Sequence, residues 1–273
     1  MIHRIIQDKT ANIHYLFHKN ELSDELVIFL HGAFADHTSF KGQEEAFTPR
    51  YNVIFIDLLG HGLSNVCTVK DRIDATPEQL KRIMEVEKFD RAHIVGVSLG
   101  ALLAQYFALK YPALVSSVVA TGGYDINNRN EEAGRAQKES VKKCLWLALT
   151  SMDKFRRFAA GQAVHRPENK ELYYRMAQGF VRKSFIGMTG LRKVVCERKD
   201  VSCSYPLLLL CGELDTDLAK NASLQWHRSA PGSRYCLIPG AGHTANMDNP
   251  EAFNETVLGF LSRTPRPPRT PRR

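Results

Sequence analysis

The sequence predicts an α/β protein: a mostly parallel, doubly wound sheet interrupted by a helical insertion. Three observations carry that expectation. Six short, nearly continuous apolar runs recur along the chain, apolar on both faces as interior strands of a parallel sheet must be. Helical patterns separate several of them, the alternation that builds a parallel sheet. One interval, about 80 residues between Gly123 and Tyr205, is too long for an ordinary crossover loop and reads as a series of helices.

In chain order, two β patterns come first, near Ile2–Gln7 and Asn12–His18. The second alternates Ile13, Tyr15, Phe17, as a half-exposed strand does. The apolar runs follow: ELVIFL (25–30), NVIFID (52–57), HIVGV (93–97), VSSVVATG (115–122), YPLLLLCG (205–212) and RYCLIPG (234–240), making eight expected strands. Helices are expected at Pro77–Glu87, Leu99–Lys110, Leu218–His227 and Pro250–Leu261, and Pro77 and Pro250 suit a first helical turn. The long interval divides into helices near 137–149, 151–160, 168–183 and 184–196, and it is rich in aromatics, among them Trp146, Phe155, Phe158 and Phe180. The expected organisation is a core of residues 1–124 and 201–262, a helical cap at 125–200, and a disordered Pro/Arg-rich tail at 263–273.

The bulk numbers narrow the function. The chain has 273 residues, 44% hydrophobic and 24% charged, which is ordinary globular composition. No apolar stretch approaches the roughly 18 residues of a membrane span, and the N-terminus MIHRIIQDKT lacks the apolar stretch of a secretory signal. The six cysteines are scattered without a C-x-x-C pair, which suits a reduced, cytoplasmic setting and argues against a zinc site. The net charge of +8 is uneven. Residues 126–200 hold 17 Lys+Arg against 8 Asp+Glu, a net of +9, and the tail adds 5 arginines, so the remainder is acidic. A basic balance confined to one insertion and a tail is not the footprint of a nucleic-acid binder. The expected role of the cap charges is a solvated helical face; the alternative is a set of cations facing the cleft to attract an anionic substrate.

The chemistry-bearing residues sit at strand ends. In HIVGVSLGALLAQYFALKYP (93–112), a strand meets a helix at G-x-S-x-G, with Ser98 between Gly96 and Gly100. A serine at so sharp a corner presents its Oγ above the sheet, next to the free N–H groups of a helix N-terminus. A serine hydroxyl needs a base, and the base needs an orienting acid. His243, in IPGAGHTANMDNP after the last strand, is the expected base. Asp215, in LLLLCGELDTD, is the expected acid, with Asp125 its main rival and Glu213 or Asp217 less suited; Asp217 fits better as a helix N-cap. The oxyanion donors are expected at the N–H groups of Leu99 and of Ala33, the latter in FLHGAFAD (29–36). Phe34 and Trp146 are expected to line the substrate site, and His31 to be structural. DLLGHGLS (57–64) reads as a packing turn.

Five motifs thus occur in order: H-G-A at 31–33, D-x-x-G-x-G-x-S at 57–64, G-x-S-x-G at 96–100, G-E-x-D at 212–215 and G-A-G-H at 240–243. Over about residues 1–262 the chain resembles the α/β-hydrolase fold proteins, most of all the small capped esterases, enol-lactonases and C–C hydrolases. The resemblance implies an eight-stranded, mostly parallel sheet and a Ser98–His243–Asp215 triad. Ser98 sets it apart from the haloalkane dehalogenases and epoxide hydrolases, which carry Asp there, and Val97 stands where many relatives have His, Gln or Asn. The expected activity is hydrolysis of a carboxylic ester or lactone by a monomer or homodimer, with no cofactor, metal, nucleic acid or membrane span. A C–C hydrolase of a β-diketone-type substrate, or a non-enzymatic small-ligand receptor on the same fold, are the alternatives.

Overall fold

The structure, a computed structural model, describes residues 1–8, 10–128, 131–196 and 203–264. Its centre is one eight-stranded sheet: β1 (Ile2–Asp8), β2 (Ala11–His18), β3 (Leu26–Leu30), β4 (Asn52–Ile56), β5 (Ala92–Val97), β6 (Val115–Thr121), β7 (Leu207–Gly212) and β8 (Arg234–Ile238). The spatial order is β1-β2-β4-β3-β5-β6-β7-β8. β2 pairs antiparallel with both β1 and β4, and all pairings from β4 to β8 are parallel. The helices are α1 (Lys41–Phe47), α2 (Thr76–Glu87), α3 (Leu99–Lys110), α4 (Glu131–Thr150), α5 (Met152–Ala163), α6 (Pro167–Met176), α7 (Ser184–Met188), α8 (Leu191–Val194), α9 (Asp217–Ser229), α10 (Ala245–Asp248) and α11 (Pro250–Leu261).

The apolar runs are strands because both faces of each are covered. Along β3 and β4, residues of one parity (Ile28, Leu30, Ile54, Ile56) join a core with Leu80 and Ile83 of α2 and Leu103 and Phe107 of α3. Those of the other parity (Val27, Phe29, Val53, Phe55) pack on Phe47 of α1 and on Phe253 and Val257 of α11. This is the period of two, with a helical layer on each side. Every residue of β3, β4, β5 and β7 is buried.

Four expectations need correction. β8 is an edge strand paired only with β7, and Leu237 on it is 46% exposed, so RYCLIPG is apolar without being interior. Helix α1 has no counterpart in the sequence reading: seven residues offer barely two turns of periodicity, and tertiary burial of Phe40 and Phe47 holds it. The helix expected at 168–183 ends at Met176. The guanidinium of Arg156 takes the carbonyls of Ala177, Gln178 and Phe180, satisfying the acceptors that a longer helix would have used. The N-cap of α9 is Thr216, whose side chain accepts from the Ala219 N–H, and Asp217 is the first helical residue.

Helices α4 to α8 fall between β6 and β7, in the interval expected to hold the insertion. The tail from 265 onward lies outside the described residues, as does 197–202 at the expected second boundary. Among the described residues no helix is long and apolar enough to cross a membrane.

Candidate active site

Ser98 sits between the end of β5 and the start of α3 at φ 53°, in the left-handed region that a serine rarely adopts. Two close approaches force the corner. A Cβ on Gly100 would lie 2.0 Å from the Leu30 carbonyl oxygen, and one on Gly96 would lie 2.3 Å from the Gly100 oxygen. Only glycine fits either place, which is why the elbow is spelled G-x-S-x-G. The Ser98 N–H donates to Thr121 O on β6 at 2.7 Å, pinning the turn to the sheet.

From Ser98 a continuous hydrogen-bonded chain runs into the protein. Its Oγ is 2.8 Å from His243 Nε2, and His243 Nδ1 is 2.8 Å from Asp215 Oδ2. Asp215 Oδ1 accepts the Thr216 N–H at 2.7 Å, and the buried Cys211 thiol lies 3.6 Å from Oδ2. An ionised carboxylate has no proton to give, so Nδ1 is the protonated nitrogen and Nε2 faces the serine. Burial works against charge on the imidazole, but the hydrogen bond and charge of Asp215 outweigh it and hold the His243 pKa above its ordinary value of 6.5. Burial likewise pushes the Asp215 carboxyl up. His243, the Thr216 N–H and the Cys211 thiol together hold it below the ordinary carboxylate range.

The rival acids have other partners. Asp125 accepts the Asn127 N–H in a local turn, Glu213 accepts the Gly240 N–H, and Asp217 pairs with Lys220. His31 is buried. Leu58 N–H donates to its Nε2 at 3.0 Å, so Nδ1 is the protonated nitrogen and donates to Gly32 O. In the 57–64 turn, Asp57 accepts the N–H groups of His37 and Leu63, and Ser64 Oγ accepts the His14 N–H, so both side chains tie loops together.

Ala33 and Leu99 both line a cavity of about 490 Å³ that also holds Ser98, His243 and Asp215. Leu99 is the first residue of α3, where the backbone N–H has no intrahelical acceptor. The turn at 32–35 closes through Ala35 N–H to Gly32 O and leaves the Ala33 N–H outside that bond. Phe34, at φ 69°, lines the cavity with its ring 4.9 Å from both Phe155 and Phe180. Trp146 does not line it and is 64% exposed. On α4 the inward positions include Ser140, Val141 and Cys144, and Trp146 lies two residues past Cys144, about 200° around the helix. Its assignment to the substrate site is therefore corrected.

Three groups that sequence reasoning missed join the inserted helices to the site. The buried Tyr173 hydroxyl donates to the Ala33 carbonyl. Thr244, next to His243, donates its N–H and its hydroxyl to Ala163 O at 2.8 and 2.6 Å. The buried Asp248 carboxylate accepts the N–H groups of His165, Arg166 and Gly242 and the Asn169 amide. All three are long-range pairings of common residue types, and no local pattern marks them.

The profile described as alpha/beta hydrolase fold matches residues 25–250. The chain is 27% identical over 257 residues to a putative 2-succinyl-6-hydroxy-2,4-cyclohexadiene-1-carboxylate synthase of Bacillus subtilis, covering 88% of this chain and 91% of that protein. It is 25% identical over 244 residues to 3-oxoadipate enol-lactonase 1 of Acinetobacter baylyi, covering 86% and 88%. A malate-bound thermophilic esterase from Thermogutta terrifontis superposes with a TM-score of 0.78 at 19% identity, covering 97% and 99%, a likeness of fold alone. With a match running from β3 to the start of α11, the chain belongs to the α/β-hydrolase fold family.

Proposed function

We propose that the protein is a serine hydrolase of carboxylic esters or lactones, working through an acyl-enzyme without a cofactor. The observation that carries this reading is the unbroken chain Ser98 Oγ, His243, Asp215, opening on a cavity of about 490 Å³. Ser98 Oγ attacks the carbonyl carbon as His243 Nε2 takes its proton. The same proton then passes to the leaving alcohol oxygen, and water activated by His243 releases the acid. Asp215 holds the imidazole in the tautomer that can accept and favours its charged form. The developing oxyanion is held by the N–H groups of Leu99 and Ala33, each worth about 3–4 kcal/mol in comparable sites.

The ester half of the reading is supported by the fold shared with the esterase, and the lactone half by the enol-lactonase relative. Helices α4 to α8 act as a cap: they wall the cavity, and Tyr173, Ala163 and the segment 165–169 leading into α6 fasten them to the oxyanion loop and to the His243 loop. The six cysteines, scattered without a C-x-x-C pair, suit a reducing compartment, the cytoplasm. The test is a panel of p-nitrophenyl esters, simple lactones and a vinylogous β-diketone. Turnover of esters or lactones that Ser98→Ala abolishes supports the reading; turnover of the diketone alone replaces it with C–C bond hydrolysis.

A further inference from the structure

We infer that the substrate of this site is uncharged, with an apolar chain filling the cavity, and that carboxylate-bearing substrates are excluded. The inference rests on the ester or lactone reading and names its substrate class. It is not what the charge distribution of the sequence suggests, since the insertion that walls the cavity carries a net of +9.

The cavity wall is built from Phe34, Leu102, Phe158, Met188, Leu191 and Leu218, among others. Its polar members include Ser140, Gln162, Thr216 and Tyr124, all neutral. Among the described residues the one ionisable pair of opposite sign lining it is Asp215 with His243, joined to each other at one end. Among the described residues no lysine or arginine lines it.

Six of the fourteen described cap cations have protein partners away from the cavity. Arg156 binds the carbonyls at the end of α6, Arg182 binds the Ala148 carbonyl on α4, and Lys183 reaches the Cys67 carbonyl of the core. Arg157 pairs with Asp153, Arg175 with Glu171 and Lys193 with Asp74. These groups fasten the insertion or face solvent. Lys143 approaches the outside of the wall residue Phe158, with its ammonium 4.3 Å from the ring centroid on an exposed stretch of α4.

A carboxylate entering such a cavity leaves water for a largely apolar wall, meets no lysine or arginine among the described residues, and is repelled by the Asp215 carboxylate. An alkyl chain meets the opposite situation, gaining about fourfold in transition-state binding for each methylene removed from water.

The test uses the full chain and two matched series. One is the p-nitrophenyl esters of butanoic, hexanoic and octanoic acids. The other is the mono-p-nitrophenyl esters of the dicarboxylic acids of the same lengths. Rates of inactivation by p-nitrophenyl phosphonates with the same alkyl and carboxyalkyl arms read the cavity even where turnover is slow. Expected are a two- to fourfold rise in kcat/KM or inactivation rate per methylene in the neutral series, and at least about a 100-fold deficit for each carboxylate partner, at low and high salt alike. The inference is overturned if the anionic compounds match or exceed the neutral ones, if chain length has no effect, or if an anionic preference disappears in Lys143→Ala. Absence of any phosphonate adduct on the folded protein overturns the serine-hydrolase reading itself, which keeps the two failures apart.

Discussion

Gly122→Ala isolates the placement of His243 from the stability of the fold. Gly122 follows β6 at φ +60°, and its N–H donates to Leu210 O at 2.9 Å. A Cβ there would stand 2.9 Å from His243 Cε1 and 3.0 Å from Nδ1, against ordinary carbon contacts of about 3.5–4.0 Å. The imidazole must therefore retreat by roughly 0.5–1 Å, and both of its 2.8 Å hydrogen bonds loosen. A displacement of that size at a reacting group costs about 10²-fold in kcat. The left-handed backbone adds about 1–2 kcal/mol of destabilisation for a residue with a Cβ. Gly232→Ala supplies the control: its φ is +83°, yet nothing lies within 4 Å of the added methyl. The two variants should lose similar stability in urea unfolding, and only Gly122→Ala should lose kcat on a p-nitrophenyl ester. Gly122→Ala with kcat within threefold of wild type would refute the reasoning, because His243 would then not be working from the position described.

Asp215→Asn should keep the fold and lower kcat by up to ~10⁴, because the amide supports the wrong imidazole tautomer; steady-state kinetics and circular dichroism check it. In the wild type kcat/KM should rise with pH through the His243 pKa, at a midpoint above 6.5, since only the neutral imidazole accepts the Ser98 proton. In Asp215→Asn the residual activity should titrate lower, burial being left without its counterweight. The linkage runs the same way. The raised His243 pKa contributes stability below 6.5 that is lost as pH rises through its folded value, and the lowered Asp215 pKa contributes stability above 3.8 that is lost as pH falls. Urea midpoints of wild type minus Asp215→Asn should therefore differ most between those two values. Tyr173→Phe removes the donor to the Ala33 carbonyl and should cost about 1–3 kcal/mol in urea unfolding, with kcat falling more than KM changes. Trp146→Ala should leave kcat/KM within twofold, and a larger loss would return that residue to the site.

Much of this protein was legible because its candidate site sits where the backbone is most constrained. Gly96, Ser98 and Gly100 are spaced by a steric demand, so the elbow can be read from letters alone. The interior strands announce themselves as apolar runs because both faces are covered. Asp215 and His243 could be named from their places after β7 and β8, and the structure brings both to Ser98. Legibility failed where a residue's role depends on contacts distant in sequence. Trp146 looks like a pocket residue by type, but its facing is set by how α4 packs, which turns Ser140, Val141 and Cys144 to the cavity. Helix α1 is held by packing rather than periodicity. Tyr173 and Asp248 act on segments 79 to 140 residues away, and the charge of the cap says nothing about which way each cation points.

The most direct test of the central claim is where a phosphonate lands. Treat the intact protein with a p-nitrophenyl alkylphosphonate, measure the mass of the adduct, and map it by peptide fragmentation. The account predicts one adduct per chain, on Ser98, formed more slowly in Asp215→Asn and absent in Ser98→Ala. An adduct on another residue, or labelling that persists in Ser98→Ala, would contradict it.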